Sequence, residues 1–298
     1  MTVTILDGGM GRELERSGAP FRQPEWSALA LIESPKHVEL AHAAFARSGA
    51  DVITTNSYAV VPFHIGDVRF AKDGPRLVRL AGEIARKTAD EFGIRVAGSL
   101  PPVLGSYRPD LFDAEEARPI LKVLIEGLAP YADLWLAETQ SSLAEVTLVR
   151  ELLAGDARPL WLSFTIDDSN AEAVMSGERQ PTLRSGEPVA EAARHALALG
   201  ASALLFNCSQ PEVMEAAVRE AKAVIGDGPV QIGVYANAFA SEADDAAANE
   251  TLHGIRADLT PPNYLQWAEK WVQAGASLVG GCCGISPEHI GVLAKALK

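Results

Sequence analysis

Residues 203–208 read Ala203-Leu204-Leu205-Phe206-Asn207-Cys208, and Pro211 opens the segment that follows. A continuous apolar run without alternation is what a strand buried on both faces presents. A polar pair ends the run, and 211–225 is amphipathic and rich in Ala and Val, as a helix packed on one side should be. The unit is therefore strand, polar end, helix. The same unit recurs in both directions along the chain, with apolar or β-branched runs at 3–6, 51–55, 94–97, 134–137, 160–164, 230–234 and 277–279. Eight such strands, most separated by a helix-like stretch, predict an α/β protein built as a (β/α)8 TIM barrel, a single domain over 1–298. An open doubly wound sheet uses the same local units and is the alternative.

Several helix ends are legible. Ser34-Pro35, Thr260-Pro261-Pro262 and Ser286-Pro287-Glu288 each place a cap before a first-turn proline, and Asp113-Ala114-Glu115-Glu116 places acids at another N-terminus. Gly49 and Gly275 stop two of these helices. The segment 188–199 is a further amphipathic helix. Two connections read as long loops, 56–75 and 236–260, the second carrying the acidic run Ser241-Glu242-Ala243-Asp244-Asp245. In a barrel both lie on the C-terminal face, where such folds keep their active sites.

The 298 residues hold 26 Lys and Arg against 39 Asp and Glu, a formal charge of −13. That balance argues against a nucleic-acid partner, which needs a basic footprint, and suggests small-molecule or protein partners. No apolar run approaches the ~18 residues of a membrane span, and the start lacks a signal peptide's features, so a cytoplasmic protein is expected. Three cysteines do not make a disulfide framework, and two of them, Cys282 and Cys283, are adjacent.

Polar residues gather directly after the strands: Asp7-Gly8-Gly9-Met10-Gly11, Thr55-Asn56-Ser57-Tyr58, Gly98-Ser99, Glu138-Thr139-Gln140, Asn207-Cys208, Tyr235-Ala236-Asn237 and Gly280-Gly281-Cys282-Cys283-Gly284. Parallel strands in a closed barrel bring this set to one pocket mouth. Cys208, Cys282 and Cys283 then form a soft ligand set for Zn2+ with one position open, the pattern of a catalytic site. The bland alternative is a small buried Cys208 and an accidental Cys282-Cys283 pair. Asp7 and Glu138 either grip a substrate ammonium or merely cap a helix and pair with an arginine. The glycines at 8, 9 and 11 lack the spacing of a dinucleotide or phosphate loop and read as backbone that approaches a ligand closely. Among the six histidines, His64 reads as solvated, and His195 and His289 as structural; Trp267 and Trp271 read as packing.

The order Asp-Gly-Gly-Met-Gly, Thr-Asn-Ser-Tyr, Glu-Thr, Asn-Cys-x-x-Pro, Gly-Gly-Cys-Cys-Gly resembles the zinc-dependent homocysteine S-methyltransferase family, which includes S-methylmethionine and betaine users and the homocysteine module of cobalamin-dependent methionine synthase. The resemblance spans Asp7 to about Pro287. It implies a barrel, a zinc held by Cys208, Cys282 and Cys283, and homocysteine sulfur in the open position. It further implies that Asp7 and Glu138 hold the amino-acid end of homocysteine and that Asn237 is a polar residue near the metal. The activity implied is methionine formation from homocysteine and a small methyl donor, a sulfonium such as S-methylmethionine or S-adenosylmethionine first and betaine second. The length leaves no room for folate or cobalamin domains. The loop after the third strand, Leu100 to Asp110, departs from the pattern of the S-methylmethionine users. Tyr107 and Arg108 are its candidates for meeting the donor, against a plain surface turn. Other readings are a methyltransferase for another thiol or a selenol, a zinc-storing protein, and a redox dithiol at Cys282-Cys283.

Overall fold

A computed structural model describes residues 2–239 and 254–298. The strands are β1 (Thr4–Ile5), β2 (Val52–Thr54), β3 (Arg95–Leu100), β4 (Leu134–Gln140), β5 (Leu160–Phe164), β6 (Ala203–Asn207), β7 (Gln231–Tyr235) and β8 (Leu278–Val279). They form one parallel sheet in the order β1-β8-β7-β6-β5-β4-β3-β2. Its two ends meet. Leu6 bridges Val52 in parallel, the Asp51 N–H donates to the Ile5 carbonyl at 2.7 Å, and the Asp7 N–H donates to the Val52 carbonyl at 3.1 Å. Closure excludes the open-sheet alternative and makes the molecule a (β/α)8 barrel.

Helices follow each strand, among them Pro35–Arg47, Asp67–Phe92, Ala114–Leu128, Pro211–Ile225, Pro261–Ala274 and Pro287–Leu297. The expected caps operate where a side chain can reach. Asp113 accepts from the backbone N–H groups of Glu115 and Glu116, and Ser286 forms a reciprocal box with His289. The strands read as apolar throughout because both faces are covered. Leu6, Val52, Leu136, Trp161, Leu205 and Leu278 fill the barrel interior, while Ile5, Ile53, Leu204 and Phe206 pack under the helices.

Three expectations are corrected. The connection 56–75 is mostly helical: Pro62–Ile65 is followed by Asp67–Phe92, with Pro75 inside the second helix. Pro75 and residue 71 are both exposed, so the carbonyl that the proline leaves unpaired is met by water. His64 is buried rather than solvated, with Nδ1 2.8 Å from the Pro24 carbonyl oxygen. Strands β3 and β4 run three residues further than expected, so Ser99 and Glu138 stand on strands instead of after them. His289 is structural as expected, its Nε2 2.9 Å from the Leu259 carbonyl oxygen, and Trp271 is fully buried, edge-on to Tyr264 at 5.5 Å. The acidic run at 241–245 lies outside the described residues.

Candidate active site

All three cysteines reach the C-terminal mouth of the barrel, with their sulfurs within 4.8 Å of one another. Cys208 directly follows β6 in a left-handed backbone conformation, φ 48°. Gly280 and Gly281 carry the chain from β8 to Cys282 and Cys283. Cys208 and Cys282 are joined as a disulfide and Cys283 is free. The loop is tied to β7's end by the Cys282 N–H on the Ala236 carbonyl at 2.9 Å and the Ala238 N–H on the Cys283 carbonyl at 2.8 Å. Burial pushes the Cys283 thiol up to about 11, against the pull of the neighbouring Arg12 charge.

The first-strand glycines serve this loop. A Cβ on Gly9 would stand 2.6 Å from the Cys282 carbonyl oxygen and 3.1 Å from the Cys283 Cα; one on Gly281 would stand 2.1 Å from Ile285 Cγ2. At Gly8 and Gly9 the close approach is to this chain's own backbone, at Ile285 and Cys282, and at Gly11 it is to the Trp26 and Phe21 side chains.

Asp7 and Glu138 are both buried. Asp7 Oδ2 accepts from the Thr54 N–H at 2.8 Å and Oδ1 from the Thr54 hydroxyl at 3.2 Å. Glu138 Oε1 accepts from the Ser99 hydroxyl, and Thr55 Oγ1 in turn accepts from the Ser99 N–H at 3.0 Å. Burial is the main cause that raises each carboxyl to about 7, and for Asp7 the charge of Glu138 adds to it. Neither carboxylate has the bland role. The residue that caps Met10–Arg16 is Gly9, and among the described residues no Lys or Arg pairs with Asp7 or Glu138. Two buried acids without a cation are costly when ionised, and a ligand ammonium relieves that cost.

Glu138 stands at an irregularity. The β4–β5 register shifts between Ala137 and Gln140, and Thr139 takes φ 60°, an outlier for a β-branched residue. Asn207, whose position before Cys208 gave no hint of its role, holds that kink. Its Oδ1 accepts from the Thr139 N–H at 3.1 Å and the Ser163 hydroxyl at 2.7 Å, and its Nδ2 donates to Thr139 Oγ1 at 2.9 Å. Asn237 is buried after β7, its Oδ1 accepting from the Phe239 N–H at 3.3 Å. Of the two donor-loop candidates, Arg108 is exposed and bound to Asp110 at 2.8 and 2.6 Å, a surface turn, whereas Tyr107 lies within the field of Cys283. Sequence reading missed Arg184 and Asp168, which stand with Tyr107; no spacing or strand end marks them.

A family model described as homocysteine S-methyltransferase matches residues 4–297. The chain is 28% identical to selenocysteine methyltransferase of Astragalus bisulcatus, over 99% of this chain and 93% of that protein. It is also 28% identical to homocysteine S-methyltransferase 2 of Arabidopsis thaliana, over 98% and 92%. The metallated form of the homocysteine methyltransferase MmuM from Escherichia coli superposes with a TM-score of 0.78 at 26% identity, covering 99% of this chain and 96% of that one. The oxidized form of MmuM gives 0.75. Fold, strand-end residues and full-length similarity agree, and the chain belongs to the homocysteine S-methyltransferase family.

Proposed function

We propose that this enzyme transfers a methyl group from a small sulfonium donor to the thiolate of homocysteine, giving methionine, at a zinc site formed by Cys208, Cys282 and Cys283. The observation that carries the reading is the pairing of three clustered sulfurs with two buried carboxylates with which no Lys or Arg among the described residues pairs. An α-amino thiol matches both features at once, ammonium to Asp7 and Glu138 and sulfur to the cysteine cluster.

The donor set fits the metal. Tetrahedral zinc with Zn–S bonds of about 2.3 Å needs sulfurs roughly 3.8 Å apart, and the 4.8 Å cluster meets that once the Cys208–Cys282 bond is reduced to two thiols. The chemistry zinc supplies in such a site is deprotonation of a further sulfur ligand, which is otherwise mostly a thiol at neutral pH. The chain does the rest. Asp7 and Glu138 fix the ammonium, Thr54 and Ser99 fix the carboxylates, and Asn237 supplies a polar wall beside the cluster. In transfer the thiolate electron pair forms the new S–CH3 bond while the methyl–sulfonium bond breaks, its pair remaining on the donor sulfur, which leaves as a neutral thioether. Positioning of the two sulfurs in line with the methyl carbon supplies much of the rate.

A selenol acceptor is the second reading, favoured by the relative named selenocysteine methyltransferase. The test measures zinc content of protein purified under reducing conditions, with methionine formation from homocysteine and S-methylmethionine, S-adenosylmethionine, dimethylsulfoniopropionate or betaine, and selenocysteine as rival acceptor. One zinc per chain with methionine from a sulfonium is the expected result. Methionine only from betaine would overturn the donor, preference for selenocysteine the acceptor, and full activity without zinc the metal. Zinc without transfer to either acceptor would favour storage.

A further inference from the structure

The connection after β5 does not run straight to the helix Val189–Ala198. It folds back, Ile166 bridging Leu183 and Thr182 bridging Pro188, both antiparallel. The Arg184 N–H reaches the Thr165 carbonyl at 3.3 Å and the Ser185 N–H the Ser141 carbonyl at 3.1 Å. Thr165 and Ser141 directly follow β5 and β4, so this excursion lies at the C-terminal mouth beside the ends of these two strands, on the same face as the cysteines and carboxylates.

The excursion delivers a cation there. The Arg184 guanidinium sits 4.5 Å from the centre of the Tyr107 ring, and its Nη2 donates to Asp168 Oδ1 at 2.7 Å. Asp168 is itself held, its Oδ2 accepting from the Gln210 N–H at 2.9 Å, two residues beyond Cys208. Tyr107 holds its ring against Arg184 from φ 62°, a strained conformation that persists only where the surroundings impose it. Through the Gln210 bond to Asp168 the cluster stands beside the chain that leaves Cys208. Guanidinium offers five N–H donors; Nη2 of Arg184 is taken by Asp168, and its Nη1 makes no hydrogen bond among the described residues while the side chain stays partly exposed. A pre-oriented arginine with a donor to spare is suited to a planar carboxylate.

We infer that Arg184, braced by Asp168 and stacked on Tyr107, is the residue that anchors the carboxylate of the methyl donor. The inference rests on the proposed methyl transfer. The anchor holds the end of the donor remote from the methyl group, and the sulfonium then lies between Tyr107 and the cysteines. Remote binding of this kind fixes the reacting carbon without touching it.

Binding rather than turnover tests this, which separates its failure from that of the proposed reaction. S-methylmethionine and its carboxamide, which lacks the carboxylate, are titrated by calorimetry into the reduced, zinc-supplied full chain and into Arg184→Gln and Arg184→Lys. Arg184→Gln should weaken S-methylmethionine roughly 10- to 100-fold, the loss of a charge-assisted hydrogen bond. Homocysteine affinity and zinc content should stay the same. The carboxamide should bind the parent as weakly as the acid binds Arg184→Gln, and the variant should cost it little more, a strongly non-additive cycle. Arg184→Lys should recover part of the loss. Equal losses for acid and carboxamide, parallel loss of homocysteine binding, or no binding of S-methylmethionine to the parent would each overturn the assignment.

Discussion

Asn207 couples the two halves of the site through a single amide. Its side chain spans 68 positions of sequence to hold Thr139 in a conformation that Thr139 does not favour, and Glu138 is the residue before it. Asn207→Ala leaves the Thr139 N–H and the Ser163 hydroxyl without their buried acceptor. The expected cost is about 1–3 kcal/mol of stability, with a rise of about tenfold in the homocysteine KM as Glu138 loosens. Thermal unfolding and KM are measured together; a lower Tm with unchanged KM would reduce Asn207 to a structural role. At this scale the sequence is a partial guide. The cysteines and the two acids are visible because each follows a strand, and strand ends converge in a barrel. Asn207's task is invisible because its partners lie on another strand, and Arg184 is invisible because it rides on an excursion whose course depends on bridges such as Ile166–Leu183.

Among elements, the loops after β1 and β8 behave as one piece. Gly9 and Gly281 each lack the Cβ that would collide with the other loop or its own turn. In Gly281→Ala the new methyl meets Ile285 and displaces Cys282 and Cys283, while the strands stay paired. Zinc content should fall to less than half of the parent's with the far-UV spectrum and the cooperative transition retained. A variant that keeps full zinc would show that the turn can relax without moving the sulfurs. The elements themselves are largely legible. All eight strands lie where apolar runs place them, and the helix Pro211–Ile225 has the expected bounds, since burial on both faces and proline caps leave plain marks. The helix Asp67–Phe92 is half hidden because Pro75 resembles a stop signal. Its stripe of Phe70, Leu77, Val78, Ala81, Ile84 and Ala85 at helical spacing is the signal that outweighs the proline.

For the molecule as a whole, acid sensitivity has an identifiable source. His42 is fully buried in the helix Pro35–Arg47, and neither ring nitrogen has a hydrogen-bond partner. Desolvation lowers its pKa to about 4 from 6.5. As pH falls below 6.5 the unfolded chain takes up this proton first, so stability is lost progressively toward pH 4, by up to about 3 kcal/mol. Asp7 and Glu138 work in the opposite sense. Their raised pKa values mean that their contribution is full in acid and is lost as pH rises toward about 7. Comparing His42→Leu with the parent cancels the carboxylates. The Tm advantage of the variant should widen steadily from pH 7 to pH 4.5; a gap independent of pH would show that His42 is not the titrating group. The barrel, the wall-to-wall apolar strands and the family are readable from the chain at this scale. Which buried groups are left unpaired is not, because that depends on how side chains meet after packing.

Closure of the sheet between β1 and β2, with β8 on the other side of β1, also sets an order of events in the cell. During synthesis Cys208 emerges 74 residues before Cys282, and the two glycine loops that seat the sulfurs come from the first and last strands. A nascent chain at the ribosome therefore presents one thiol and no site. Assembly of the three-sulfur cluster belongs to the finished barrel, and a message truncated anywhere before β8 yields a product with neither a closed sheet nor Cys282 and Cys283.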